Sequence, residues 1–226
     1  MKYRIIGNTM PAVEVLFDQP GEKMYTQSGG MAWMTEGIQM DTSTGGGILK
    51  GVGRMFAGES MFMAYYTATQ PGASIAFAST VAGEILPIDI GQTNGLICQK
   101  GAFLCAEPSV NLNVTLTKKF SAGLFGGEGF ILEEITGNGM VFLEIDGDKV
   151  IKELAPGEVI KVDTGNVVAF DRSVGYEIET VKGLKNIFFG GEGLFLTKLT
   201  GPGKVILQTQ NFNEFAGRIA RMIPSK

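Results

Sequence analysis

Two stretches of the chain nearly repeat each other: Leu124-Phe125-Gly126-Gly127-Glu128-Gly129-Phe130-Ile131-Leu132 and Phe188-Phe189-Gly190-Gly191-Glu192-Gly193-Leu194-Phe195-Leu196. A looser third copy is Met55-Phe56-Ala57-Gly58-Glu59-Ser60-Met61-Phe62-Met63. Glu59, Glu128 and Glu192 stand 69 and then 64 residues apart. A second marker keeps the same register. Gln27-Ser28-Gly29, Gln99-Lys100-Gly101 and Asp163-Thr164-Gly165 each put a polar pair and a glycine before an apolar run, and each glycine precedes its glutamate by 27 to 30 residues. The chain therefore reads as one unit used three times, over 1–84, 85–152 and 153–211, with a helix over 212–226, all within a single domain 1–226. A unit of about 65 residues is small for a stable domain, so the three units are expected to pack about a common axis and share a core.

The unit itself is β. Met140–Ile145, Val159–Asp163, Val167–Phe170, Tyr176–Val181 and Lys204–Thr209 are short, rich in β-branched and aromatic residues, and often alternating, which is the signature of strands. Turn dipeptides punctuate them: Pro20-Gly21, Pro71-Gly72, Asn138-Gly139, Asp146-Gly147, Pro156-Gly157 and Pro202-Gly203. Two segments depart from this pattern. Gly47–Phe56 places Ile48, Val52, Met55 and Phe56 at helical spacing, weakened by Gly51 and Gly53, and reads as a short edge helix or an ordered loop. In the tail, Phe212, Phe215, Ile219 and Met222 form one stripe, Arg218 and Arg221 the other face, Asn211 and Glu214 occupy capping-box positions, and Pro224 follows. Such a helix is expected to dock on the sheet or on a neighbouring subunit.

Composition removes several function classes. There is no histidine among the 226 residues, so the most usual general base and the commonest zinc or iron ligand are missing. The net charge of −4 argues against a nucleic-acid binder that works by bulk electrostatics. Cys98 and Cys105 lie in apolar, strand-like surroundings and are expected to be buried reduced thiols. The N-terminal residues lack an apolar signal-like core, and each later apolar run falls short of the ~20 residues that span a bilayer. A cytoplasmic protein is expected.

Two constellations could carry function. In a threefold arrangement Glu59, Glu128 and Glu192 become equivalent, and if they faced the axis they could ring a hard cation such as calcium or magnesium. The alternative is that each carboxylate accepts hydrogen bonds within its own glycine-rich turn. Ahead of each turn comes a basic and aromatic patch: Lys50 and Arg54 with Phe56, Lys118 and Lys119 with Phe125, Lys182 and Lys185 with Phe189. Gathered at one end, these could hold anionic headgroups or single-stranded nucleic acid; scattered, they are solvated charges beside core phenylalanines. The glycine runs are not phosphate loops, because no Gly-Lys-Ser or Gly-Lys-Thr follows them. No nucleophile stands with a base, no catalytic residue emerges and no cofactor is expected.

The Gly-Gly-Glu-Gly turns, the run Ile97–Cys105 and the segment Ala155-Pro156-Gly157-Glu158 with Val162-Asp163-Thr164-Gly165 resemble the altered-inheritance-of-mitochondria protein family, from about Ile6 to Ile219. The resemblance implies three modules of a double-stranded β-helix type, similar to the tryptophan RNA-binding attenuation protein, about a pseudo-threefold axis. It implies no catalytic residues. The reading is thus an all-β, pseudo-threefold, non-enzymatic binding or scaffold protein, homo-oligomeric, acting on a protein partner, a membrane surface or an anionic ligand. RNA binding by fold analogy is the alternative, and a metal-dependent enzyme stands behind both.

Overall fold

The computed structural model describes residues 1–27, 29–43, 63–118, 130–180 and 195–223. In chain order the strands are β1 (Lys2–Ile6), β2 (Ala12–Leu16), β3 (Lys23–Gln27), β4 (Met31–Met34), β5 (Ile38–Ser43), β6 (Met63–Ala68), β7 (Ser74–Ala78), β8 (Gly83–Asp89), β9 (Leu96–Gln99) and β10 (Phe103–Ala106). There follow β11 (Val110–Lys118), β12 (Phe130–Gly137), β13 (Met140–Asp146), β14 (Lys149–Leu154), β15 (Val159–Asp163), β16 (Val167–Asp171), β17 (Gly175–Thr180), β18 (Phe195–Thr200) and β19 (Gly203–Gln208). A helix, α1 (Phe212–Met222), comes last. The expected strands form within a residue or two of their sequence bounds, and the tail helix starts at Phe212 as expected and ends at Met222, with Ile223 as its C-cap. Glycines 21, 72, 139, 147, 157 and 203 all take positive φ, as their turn dipeptides require. The 47–56 segment lies outside the described residues.

The strands make four antiparallel sheets, ordered β1-β2-β7-β4, β5-β6-β3-β10-β13-β8, β11-β12-β9-β16-β19-β14 and β15-β18-β17. Adding six to every strand number turns the second order into the third. The same offset turns β2-β7-β4 of the first sheet into β8-β13-β10 of the second, and β11-β12-β9 of the third into β17-β18-β15 of the fourth. A bulge recurs at the matching place: between Met31 and Trp33 in β4, Phe103 and Cys105 in β10, and Val167 and Ala169 in β16. One extra residue at the same point bends each strand the same way.

Among the described residues the buried apolar side chains fall into three clusters. One spans the first two sheets around Phe17, Phe77 and Phe142, a second joins the two six-stranded sheets around Phe103, Ile135, Leu143 and Ile206, and the third backs the last two around Phe130, Leu132, Phe170 and Leu199. Burial of this kind contributes about 25 cal/mol per Å², and every cluster draws on more than one sheet.

Candidate functional site

Asn211 caps α1 with extended backbone, and its side-chain oxygen accepts from the Glu214 N–H at 3.3 Å. The Phe212 N–H, another of the donors a helix start leaves without an internal partner, donates to Asp146 Oδ2 at 3.1 Å. The root of the helix is thereby tied to the end of β13. Asn211→Ala is expected to cost about 1 kcal/mol of stability, seen as a lower midpoint in urea unfolding. Phe212, Phe215, Ile219, Met222 and the following Ile223 are exposed, so the apolar stripe does not dock on its own sheet as one branch of the sequence expectation had it. On the polar side Arg218 Nη2 meets Glu214 at 2.5 Å, an i, i+4 pair.

A polar cavity of about 230 Å³ opens at the helix root, lined in part by Thr80, Gln99, Glu144, Asp146, Gln208 and Asn211. Glu144 and Asp146 sit two apart on β13 and so share a face. Glu144 accepts from the Thr80 N–H at 2.9 Å and from the Thr80 hydroxyl at 2.6 Å. Gln208 bridges the wall, accepting from the Asp146 N–H and donating to the Gly165 carbonyl, each at 2.9 Å. Burial raises the Asp146 carboxyl above its ordinary range, the Phe212 N–H opposes that, and the charge of Glu144 adds to it. The cavity therefore fixes the helix root through carboxylate and amide hydrogen bonds.

The most perturbed carboxyl lies elsewhere. Glu133, on β12 opposite Cys98, is wholly buried. Its oxygens accept from Gln27 Nε2 at 3.2 and 3.3 Å, and burial outweighs this bond and the nearby Lys100 charge to push its pKa up to about 7. The sequence analysis did not single it out, although a signal exists. Glu133 and Glu134 are adjacent in an apolar strand, and successive strand residues face opposite sides, so one must point inward. Glu134 takes the outer side and pairs with Arg172 at 2.6 Å.

Of the patch and ring residues, Lys50, Arg54, Phe56, Glu59, Lys119, Phe125, Glu128, Lys182, Lys185, Phe189 and Glu192 lie outside the described residues, as does the side chain of Lys118 at the end of β11. The segments that carry them run between β5 and β6, β11 and β12, and β17 and β18, each an antiparallel pair. Among the described residues no three His, Cys, Asp or Glu side chains group as metal ligands. Cys98 and Cys105 are free and buried, and burial raises both thiols well above their ordinary range.

The model of the mitochondrial biogenesis AIM24 family matches residues 3–210 of this chain. The chain belongs to that family. An uncharacterized protein of Streptococcus pyogenes serotype M6 is 30% identical over 223 residues, covering 95% of this chain and 88% of the relative. A crystal structure of a protein from Streptococcus pyogenes superposes with a TM-score of 0.79 at 26% identity, covering 98% of this chain and 99% of that one. The AIM24 match stops just short of α1, whose stripe thus lies outside the matched segment. Among the described residues of this AIM24 chain no helix is long and apolar enough to cross a membrane.

Proposed function

We propose that this protein is a non-enzymatic scaffold of three related β modules joined edge to edge, held on an anionic membrane surface by α1. The six-strand offset between sheets and the recurring bulge support the modular reading.

The observation that carries the membrane reading is the exposed stripe of Phe212, Phe215, Ile219 and Met222 on a short helix with a charged opposite face. That combination lies in the plane of a lipid surface, apolar side down. Charge points the same way. From Asn211 onward the chain holds Arg218, Arg221 and Lys226 against Glu214 alone, a basic tail on an acidic protein, and each such cation gains about 1 kcal/mol near anionic lipid.

The test is cosedimentation with vesicles of phosphatidylcholine and phosphatidylserine. A half-exposed Phe or Ile gains about 1 kcal/mol on entering lipid, so Phe215→Ser with Ile219→Ser is expected to lower partitioning at least tenfold while leaving the fold intact. Added salt should weaken binding further. Wild-type protein that stays in the supernatant, or a double variant that sediments equally well, overturns the reading.

A further inference from the structure

Two sheets stop at a strand that is interior elsewhere. In the six-stranded sheets β10 joins β3 and β16 joins β9, with Cys105 opposite Thr26 and Ala106 opposite Tyr25 in one junction, and Ala169 opposite Cys98 and Phe170 opposite Ile97 in the other. The matching strands for a third such junction are β4 and β15, and both lie at sheet ends. β4 carries the same bulge against β7 that β10 carries against β13. β15 pairs with β18, Asp163 opposite Leu196, as β3 pairs with β6, Gln27 opposite Met63. Each edge has the backbone form of a junction it does not make. Carrying the register across puts Trp33 opposite Val162 and Met34 opposite Lys161.

Burial shows what the missing neighbour would cover. Trp33 is 46% and Met34 40% exposed, whereas Cys105, Ala106, Ala169 and Phe170 at the matching positions are 0% exposed. Val159 on β15 is likewise exposed. An edge strand left to solvent is ordinarily guarded by lysine, proline or inward charge; Met31-Ala32-Trp33-Met34 has none of these.

We infer that β4 is a strand-pairing surface whose partner is β15 of a second copy of this chain, in the register of the two internal junctions. Both edges belong to one chain, where pairing would cost no translational entropy, and the structure nevertheless leaves them unpaired, at the ends of separate sheets. The matching strand is therefore supplied by another molecule. Each copy offers one edge of each kind, so two reciprocal junctions close a twofold dimer. The exposed α1 stripe is not part of this edge, although β15 leads into the turn at Gly165 that lies against Asn211 at the helix root, and the pairing does not depend on lipid.

Two measurements on the full chain test this. Light scattering in the absence of lipid is expected to give twice the chain mass for wild type and for Phe215→Ser with Ile219→Ser, and the single-chain mass for Trp33→Lys, whose exposed position leaves circular dichroism unchanged. Under mild oxidation, mixing a Trp33→Cys chain with a Val162→Cys chain is expected to give a covalent dimer that neither forms alone, since directly opposed residues have Cβ atoms about 5 Å apart and the native thiols are buried. A monomeric wild type, a dimer indifferent to Trp33→Lys, or a link that forms only within the Trp33→Cys, Val162→Cys double variant would overturn the proposal. A dimer lost through the α1 changes instead would move the contact to the helix.

Discussion

Between pH 4.5 and pH 8 the folded protein is expected to lose about 3 kcal/mol of stability, and Glu133→Gln to remove most of that loss. The Glu133 carboxyl has an ordinary value of 4.5 and is pushed up to about 7 in the fold. In that interval the folded state keeps a proton that the unfolded chain has released, so stability falls as pH rises and levels off above 7. Each whole pKa step is worth about 1.4 kcal/mol, which gives the expected size. The surroundings fix the direction: the carboxyl is wholly buried beside Cys98 and Tyr25, with one amide donor from Gln27 and the charge of Lys100 to offset desolvation. Asp146, raised by burial, slopes the same way from a lower starting point. Glu84 and Glu179 are lowered, first by their bonds to Lys149 and Lys161. Their contribution is present above the ordinary carboxyl range and lost on acidification, outside this window. Urea unfolding of wild type and variant at several pH values reads the effect directly. Equal slopes for the two proteins would mean that Glu133 does not titrate between pH 4.5 and 8.

Much of the fold was legible because strand and turn signals are local. Asp146-Gly147 and Pro202-Gly203 declare positive φ wherever they occur, and Val159–Asp163 alternates over the very residues that pair with β18. Asn211 and Glu214 likewise mark a cap that needs only its own backbone. Partnering is not local. The α1 stripe says that an apolar face exists, not what meets it: of the two expected seats, its own sheet or a neighbouring subunit, the exposed stripe leaves the first unfilled, while Asp146 and Asn211 hold the root. Met31–Met34 shows the same limit: its apolar residues suit an interior strand, and only the sheet order shows that among the described residues it ends a sheet. Glu133 was hidden by a different effect. A carboxylate in a strand ordinarily marks the wet face, and only its adjacency to Glu134 shows that one of the two faces inward.

Phe142→Ala is expected to be the most damaging single core change, costing about 3–5 kcal/mol. Phe142 is fully buried on β13, opposite Cys105 on one side and Pro87 on the other. Its ring meets that of Tyr3 edge-on, centroids 5.0 Å apart at 79°, a geometry that gains about 0.5–1.5 kcal/mol beyond area burial. Tyr3 belongs to β1, so this contact ties the four-stranded sheet to the six-stranded one beside it. At the corresponding places by register stand Ala76, opposite Trp33, and Ile206, opposite Ala169, so the large ring fills space at this position that its counterparts do not. Alanine leaves a cavity that rigid strands on both sides cannot close. A chain of this size has roughly 5–15 kcal/mol of stability in total, and the midpoint of thermal unfolding should fall by about 10 °C. Tyr3→Ala, removing a ring 43% exposed, should cost less than half as much, and Phe142→Leu should fall between. If Phe142→Ala instead separates one transition into two, the sheets unfold independently and the shared core is weaker than the clusters imply; a loss below about 1 kcal/mol would show that the neighbours collapse into the space.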